Sequence, residues 1–105
     1  MTEVKLIFAD SDPIGFEISG HSSFNCNDEA GKIVCSAVSS AAYMAVNTVT
    51  EIIGDKMNSC VQDGFMKSVG EDLSKGSKDV LKGFALHIKE LSAQYPDRIK
   101  ITTEV

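Results

Sequence analysis

The feature that most constrains this chain is a change of hydrophobic period along its length. Residues 4–9 and 15–19 alternate apolar and polar side chains, which is the period of half-buried β-strands. From Gly31 to Ile53 the apolar residues instead recur at helical spacing, and at about 100° per residue they fall within a stripe about 120° wide. The stripe predicts a helix of about 20 residues, closed by Gly54. Its members are Val34, Val38, Ala41, Ala42, Ala45, Val49, Ile52 and Ile53.

Turn signals divide the rest of the chain into further elements. The run 10–13, Asp-Ser-Asp-Pro, joins the first two strands, and Asp63-Gly64 joins a second hairpin made of residues 57–62 and 65–69. A second helix is predicted over about 77–94, with Leu81, Phe84, Ile88 and Leu91 on one stripe, and it ends before Pro96. The alternation over 99–103 predicts a last strand.

The resulting order of elements is ββαββαβ. This order predicts an α+β fold, a two-layer sandwich in which both helices cover one face of a mixed five-stranded sheet. The 105 residues are expected to form a single domain, 1–105, because no linker or repeat divides them. The polar stretch from Gly70 to Ser77 is expected to be a flexible loop.

Charge and cysteine content narrow the functional classes. The net charge of −5 argues against a surface that binds phosphate backbones, so nucleic acid is not an expected ligand. The chain shows no signal peptide, and no apolar run approaches the ~20 residues of a membrane span. Cys26, Cys35 and Cys60 form an odd set without a CxxC pair. We therefore expect a cytoplasmic protein with no membrane contact, no bound metal and no cofactor.

The segment from Gly20 to Ser40, GHSSFNCNDEAGKIVCSAVSS, is the part of the chain that can carry chemistry. Cys35 is expected in the first turn or so of the first helix, where the helix dipole stabilises a thiolate, and the loop permits His21 to reach it. From spacing alone, a structural core cysteine remains the competing interpretation of Cys35. Cys26 and Cys60 are interpreted as incidental.

This segment resembles the ribosomal-processing cysteine proteases of Firmicutes and related bacteria, the Prp family. The GH pair, the short acidic loop and the GKIVCSAVSS helix start carry the resemblance, together with the ββαββαβ order, the chain length and the DG hairpin. The resemblance implies a cysteine endopeptidase that cleaves after an aromatic residue. Its substrate would be a precursor of a bacterial large-subunit ribosomal protein of the L27 family, from which it removes an N-terminal extension.

The resemblance also assigns roles to residues. Cys35 matches the nucleophile and His21 the acid/base, with Gly20 before the histidine and Ser39 one turn beyond the cysteine. Ser39 either hydrogen-bonds within the site or only permits close helix packing. The family commonly carries Asp three residues before the nucleophile, and this chain has Lys32 there. Asp28 or Glu29 either orients His21 or caps the helix, and capping is favoured for Asp28; alternatively Lys32 stabilises the thiolate.

Further expectations concern the substrate and the partners. Backbone N–H groups around 31–35 are candidate oxyanion donors, the loop at 70–77 is a candidate lid, and sheet edges offer main-chain pairing to an extended peptide. Four apolar residues lie off the helical stripes, which is compatible with a homodimer contact or with scattered surface side chains. They are Ile33, Tyr43, Met44 and Leu86.

Two other functions compete with the protease. Lys32 is the reason to retain a catalytically silent ribosome-assembly binding module with the same fold. A redox-sensing thiol protein would use Cys35 with Cys26 as the resolving partner.

Overall fold

The structure, a computed structural model, describes residues 1–20 and 29–105. Within these residues five strands and two α-helices follow one another in the order ββαββαβ, as predicted. The strands are β1 (Thr2–Ala9), β2 (Asp12–Ser19), β3 (Met57–Gln62), β4 (Phe65–Gly70) and β5 (Ile99–Glu104), and the helices are α1 (Glu29–Asn47) and α2 (Lys75–Gln94).

The five strands form one mixed sheet in the order β3-β4-β2-β1-β5. β5 runs parallel to β1, whereas the pairs β1/β2, β2/β4 and β3/β4 are antiparallel. The predicted fold class, an α+β two-layer sandwich, is confirmed. The hairpin at the N-terminus turns at Asp10 and Ser11, whose φ angles of 52° and 70° suit a tight two-residue turn.

The core lies between one face of the sheet and the two helices. Val4, Leu6, Phe16 and Met66 from the strands pack with both helical stripes. The Phe16 and Phe84 rings, from β2 and α2, have centroids 4.6 Å apart. Aromatic pairs at this distance add specific packing energy to the burial of apolar area, so they fix α2 over the centre of the sheet.

The end of the first helix departs from the predicted stripe. Residues 48–53 form a π-helix, Thr48–Ile53, which follows α1 directly and ends at Gly54 in the left-handed conformation. Ile52 is 80% exposed, so its assignment to the core was wrong, and Ile53 is also exposed. The wider i→i+5 turn rotates these side chains out of phase with a stripe drawn at 3.6 residues per turn.

The segment after β4 is not the flexible loop that was predicted for 70–77. Leu73 is buried, and α2 already begins at Lys75, with Ser74 as its N-cap. Asp55, just after the π-helix, accepts hydrogen bonds from the Ser74 N–H and hydroxyl at 2.8 Å each and from the Ser77 hydroxyl at 2.6 Å. These contacts anchor the segment, which removes the basis for a lid there.

The first helical segment is more apolar than the sequence analysis allowed. Residues Glu29–Ile53 are long and apolar enough to cross a membrane by length and composition, so the statement that no run approaches a span was too strong. In this fold the segment packs Val34, Val38, Ala42, Ala45 and Val49 into the core. The core helix of a soluble protein passes the same test of length and composition.

Candidate active site

A small cleft with a volume of about 120 Å³ lies between α1 and one end of the sheet. Three residues predicted for the site, Gly20, Cys35 and Ser39, line it together. The remaining lining comes from both layers: Thr2, Ile18, Val38, Tyr43, Val61, Gln62, Gly64, Phe65 and Met66. An engineered apolar cavity of similar size holds a benzene molecule, so the cleft has room for about one side chain of a peptide.

Cys35 lies deeper in its helix than predicted. It is at least the seventh residue of α1, whose first described residue is Glu29. Its backbone N–H is therefore beyond the four at a helix start that lack an intrahelical partner, and the dipole acts mainly within the first turn. The N–H groups of residues 33–35, which were among those predicted as oxyanion donors, lie within the helix and bond to carbonyl groups one turn earlier.

The side chain of Cys35 is half-buried and takes part in a disulfide. Cys60, on β3, is free and exposed. A sulfur held in a disulfide is not a nucleophile, so the thiolate chemistry predicted for Cys35 requires the reduced protein.

Gly20 directly follows β2 and has a backbone conformation that an L-residue rarely adopts. Its φ is +102°, and a Cβ at this position would fall against the backbone carbonyl oxygen of Met1. Glycine is thus required here on two grounds, and this backbone forms one side of the cleft. Ser39 lies one helical turn after Cys35 and is exposed, so its hydroxyl is accessible from the cleft.

Several predicted residues are not placed by the structure. His21, Asp28 and Cys26 lie outside the described residues, so the Cys/His dyad, the cap and the disulfide partner of Cys35 stay predictions. Lys32 is exposed on the first described turn of α1.

Residues outside the Gly20–Ser40 segment also line the cleft, and sequence reasoning missed them. Tyr43 was interpreted as a homodimer contact or a scattered surface side chain, but it extends the row of Cys35 and Ser39 at intervals of four residues and lines the cleft. That spacing was available in the sequence. The turn end of the β3–β4 hairpin also lines the cleft through Val61 on β3 and Phe65 on β4, and no local signal in the sequence indicates that this hairpin reaches Cys35.

A second, wider groove of about 670 Å³ runs between the two helices. Its lining residues include Ser40 and Met44 on α1 and Val80 and His87 on α2. Neither Cys35 nor Cys60 lines it. His87 borders this groove and does not line the cleft. In residues 1–20 and 29–105 no group of three or more His, Cys, Asp or Glu side chains is placed to hold a metal ion.

A half-buried cysteine on a helix of a two-layer domain, lining a cleft with room for one side chain, is compatible with a cysteine-dependent peptidase. A family model described as "Cysteine protease Prp" matches residues 1–100 of the chain. The chain therefore belongs to the Prp family of cysteine proteases, and the resemblance found in its sequence is confirmed.

Individual relatives agree with the family match. The ribosomal processing cysteine protease Prp of Bacillus subtilis (strain 168) is 22% identical over 99 residues, which cover 88% of this chain and 87% of the relative. The crystal structure of Prp from S. aureus with a substrate peptide superposes with a TM-score of 0.88 at 15% identity, covering 99% of this chain and all of the other. The same protease with a covalently linked product peptide gives 0.85 at 16% identity, with coverage of 99% and 100%. At these identities the solved structures show that the fold is shared.

Proposed function

We propose that this protein is a cysteine endopeptidase that removes the N-terminal extension from a bacterial large-subunit ribosomal protein precursor of the L27 family. Cys35 is the proposed nucleophile and His21 the proposed acid/base. The observation that carries the proposal is the cleft shared by Cys35, Ser39 and Gly20 in a chain of the Prp family.

The proposed reaction proceeds through a thioester. The Cys35 thiolate attacks the scissile carbonyl carbon, a C–S bond forms, and the C–N bond breaks as protonated His21 gives its proton to the departing amine. Neutral His21 then takes a proton from water, which hydrolyses the thioester and regenerates the thiolate. The Ser39 hydroxyl is the proposed donor to a substrate oxygen.

The net charge of the protein supports the same substrate class. A net charge of −5 suits a protein that meets the basic tail of a ribosomal protein before that tail contacts RNA.

The proposed compartment is the cytoplasm, and no membrane or nucleic-acid partner is proposed. A homodimer is also proposed, because Met44 and Leu86 expose 68% and 60% of their surface on the helical layer.

The proposal is tested by incubating the reduced protein with the extended precursor and with the mature ribosomal protein from the same organism. Intact mass spectrometry should show loss of the extension from the precursor and no change in the mature form. Replacing His21 by Ala should slow alkylation of Cys35 by iodoacetamide near neutral pH. An intact precursor would contradict the activity, and an unchanged rate of alkylation would remove His21 from the dyad.

One observation favours a second function, a redox-sensing thiol. Cys35 is in a disulfide, and the proposed resolving partner from the sequence is Cys26. Mild peroxide followed by peptide mapping would reveal a Cys26–Cys35 link if the protein senses oxidants. Turnover of the precursor after addition of a thiol reductant instead supports the protease, with the disulfide as its inactive oxidised form.

A further inference from the structure

The strand β3 forms one edge of the sheet and is unusually open. Within the described residues it hydrogen-bonds to β4 alone, and five of its six side chains, from Asn58 to Gln62, are exposed. An edge strand presents a row of backbone N–H and C=O groups that have no partner in the sheet.

The register shows which backbone groups of β3 point outwards. The hairpin closes on the pair Gln62/Phe65 across a two-residue turn, and the ladder continues to Met57/Gly70 without a shift. Because hydrogen-bonded and non-hydrogen-bonded pairs alternate, Asn58, Cys60 and Gln62 direct their backbone groups to β4. Met57, Ser59 and Val61 direct theirs to the open edge. The Ser59 and Ser68 hydroxyl oxygens lie 2.7 Å apart, as expected for a close, non-hydrogen-bonded pair.

The strand β3 lacks the features that usually prevent an edge strand from pairing with another chain. The sequence of β3, MNSCVQ, contains no charged residue and no proline, and its register has no bulge. The opposite edge strand, β5, carries Lys100 and Glu104. Lysine and other charges on an edge discourage pairing with another chain, so the two edges differ in the way expected if only one of them accepts a strand.

The open edge ends at the cleft. Val61 and Gln62, the last two residues of β3, line the same cleft as Cys35. A peptide paired along β3 would advance by about 3.3 Å per residue and reach the cleft at the end of the strand. The geometry points to β3 as the docking strand for the substrate, which adds its main chain to the sheet as an extra strand and thereby presents its scissile bond to Cys35. This inference rests on the proposed function, and the occupant is an extended segment of the substrate next to the cleavage junction.

Ser59 offers a matched pair of variants for the test. Ser59→Pro and Ser59→Ala both lose the hydroxyl pair with Ser68, but only the proline lacks the outward N–H. With a long peptide that extends beyond the junction by the length of β3 on both sides, kcat/KM of Ser59→Pro should be about threefold to tenfold below that of Ser59→Ala, the value of one hydrogen bond. A short peptide that contains only the residues beside the scissile bond should be cleaved equally by both.

A second measurement avoids any effect of proline on folding. A series of long peptides is prepared in which each peptide carries a methyl group on one backbone nitrogen, at a different residue in each. The Kd of each peptide for the Cys35→Ala protein is then measured. If the peptide adds to the sheet as a strand, an N-methyl group should weaken binding at every second position of the peptide. Equal binding of all the methylated peptides would overturn the inference. Equal kcat/KM values of Ser59→Pro and Ser59→Ala on the long peptide would also overturn it. A change of oligomeric state in Ser59→Pro, with unaltered cleavage, would show that a second copy occupies the edge and would also overturn the inference. Period-two binding without any cleavage by the wild type would contradict the proposed function and leave the docking strand standing.

Discussion

Asp55 accepts a 2.6 Å hydrogen bond from the Ser77 hydroxyl and thereby joins the end of the first helical segment to the start of the second helix. Ser77 is fully buried, and Ser74, which donates to the same carboxylate oxygen, caps α2. These hydrogen bonds, first that of Ser77 and then those of Ser74, hold the pKa of Asp55 below its ordinary value.

The Asp55 contact predicts a pH-dependent loss of stability. A carboxyl whose pKa is lowered by folding contributes stability above its unfolded pKa, near 4, and loses it as the pH falls through the lower folded value. Asp55→Asn should therefore lower Tm at pH 7, and its difference from the wild type should shrink on acidification below about pH 4. Thermal unfolding followed by circular dichroism measures both. Glu90→Gln, a similar change on the exposed face of α2, is the control and should show little effect at either pH.

Gly20 and Gly54 provide a test of backbone strain beside the cleft. Both have positive φ, but a Cβ at Gly20 meets the Met1 carbonyl, whereas one at Gly54 meets nothing within 4 Å. Gly54→Ala should cost about 1–2 kcal/mol of unfolding free energy for the left-handed conformation alone. Gly20→Ala should cost about 1–3 kcal/mol more because of overpacking, and it should also reduce cleavage. Equal costs in urea denaturation would show that the contact at Met1 relaxes freely.

Ser39 and Ser40 are exposed neighbours on α1 that border different cavities. Ser39 lines the cleft with Cys35, whereas Ser40 lines the groove between the helices. Ser39→Ala should lower kcat/KM about tenfold, the effect of one lost hydrogen bond to the reacting group or the substrate. Ser40→Ala should leave kcat/KM unchanged, and neither variant should alter Tm by more than about 2–4 °C. Equal activities of the two variants would reduce Ser39 to a residue that only permits packing.

Tyr43 and Met44 form a similar pair for the wall of the cleft. Tyr43 is the third residue of the row that begins at Cys35, and Met44 lies in the other groove. Tyr43→Ala should raise KM for the peptide several-fold, because it removes apolar contact area from the cleft. Met44→Ala should change the oligomeric state if that face forms the dimer, without a change in KM. Steady-state kinetics and light scattering separate the two effects.

The local signals of the sequence determined most of the fold. The turn signal at 10–13, the dipeptide Asp63-Gly64 and the stripe of α2 each specify an element by short-range physics, and all three elements were predicted, although the first turn contains only Asp10 and Ser11. Ile52 was misplaced because the π-helix alters the helical period, which apolar spacing does not encode. The loop at 70–77 was misjudged because the partner that orders it, Asp55, lies 19 residues before Ser74.

One part of the candidate site was likewise predictable from local signals in the sequence, and another part was not. Cys35, Ser39 and Gly20 were found because they belong to one segment with a recognisable pattern, and they meet at the cleft. The contribution of Val61 and Phe65 depends on the tertiary packing of a hairpin against α1, so a single sequence does not reveal it. The open edge of β3 likewise follows from strand order rather than from any motif.

The most direct test of the central claim compares Cys35→Ala with Cys60→Ala. Cys35 lines the cleft, and Cys60 is a free, exposed cysteine on β3, so the two variants remove one sulfur each from different surroundings. In a timed cleavage of the extended ribosomal protein precursor with thiol reductant present, the wild type and Cys60→Ala should release the extension at similar rates. Cys35→Ala should release none while retaining the circular dichroism spectrum of the wild type. Cleavage by folded Cys35→Ala at the wild-type rate would contradict the account.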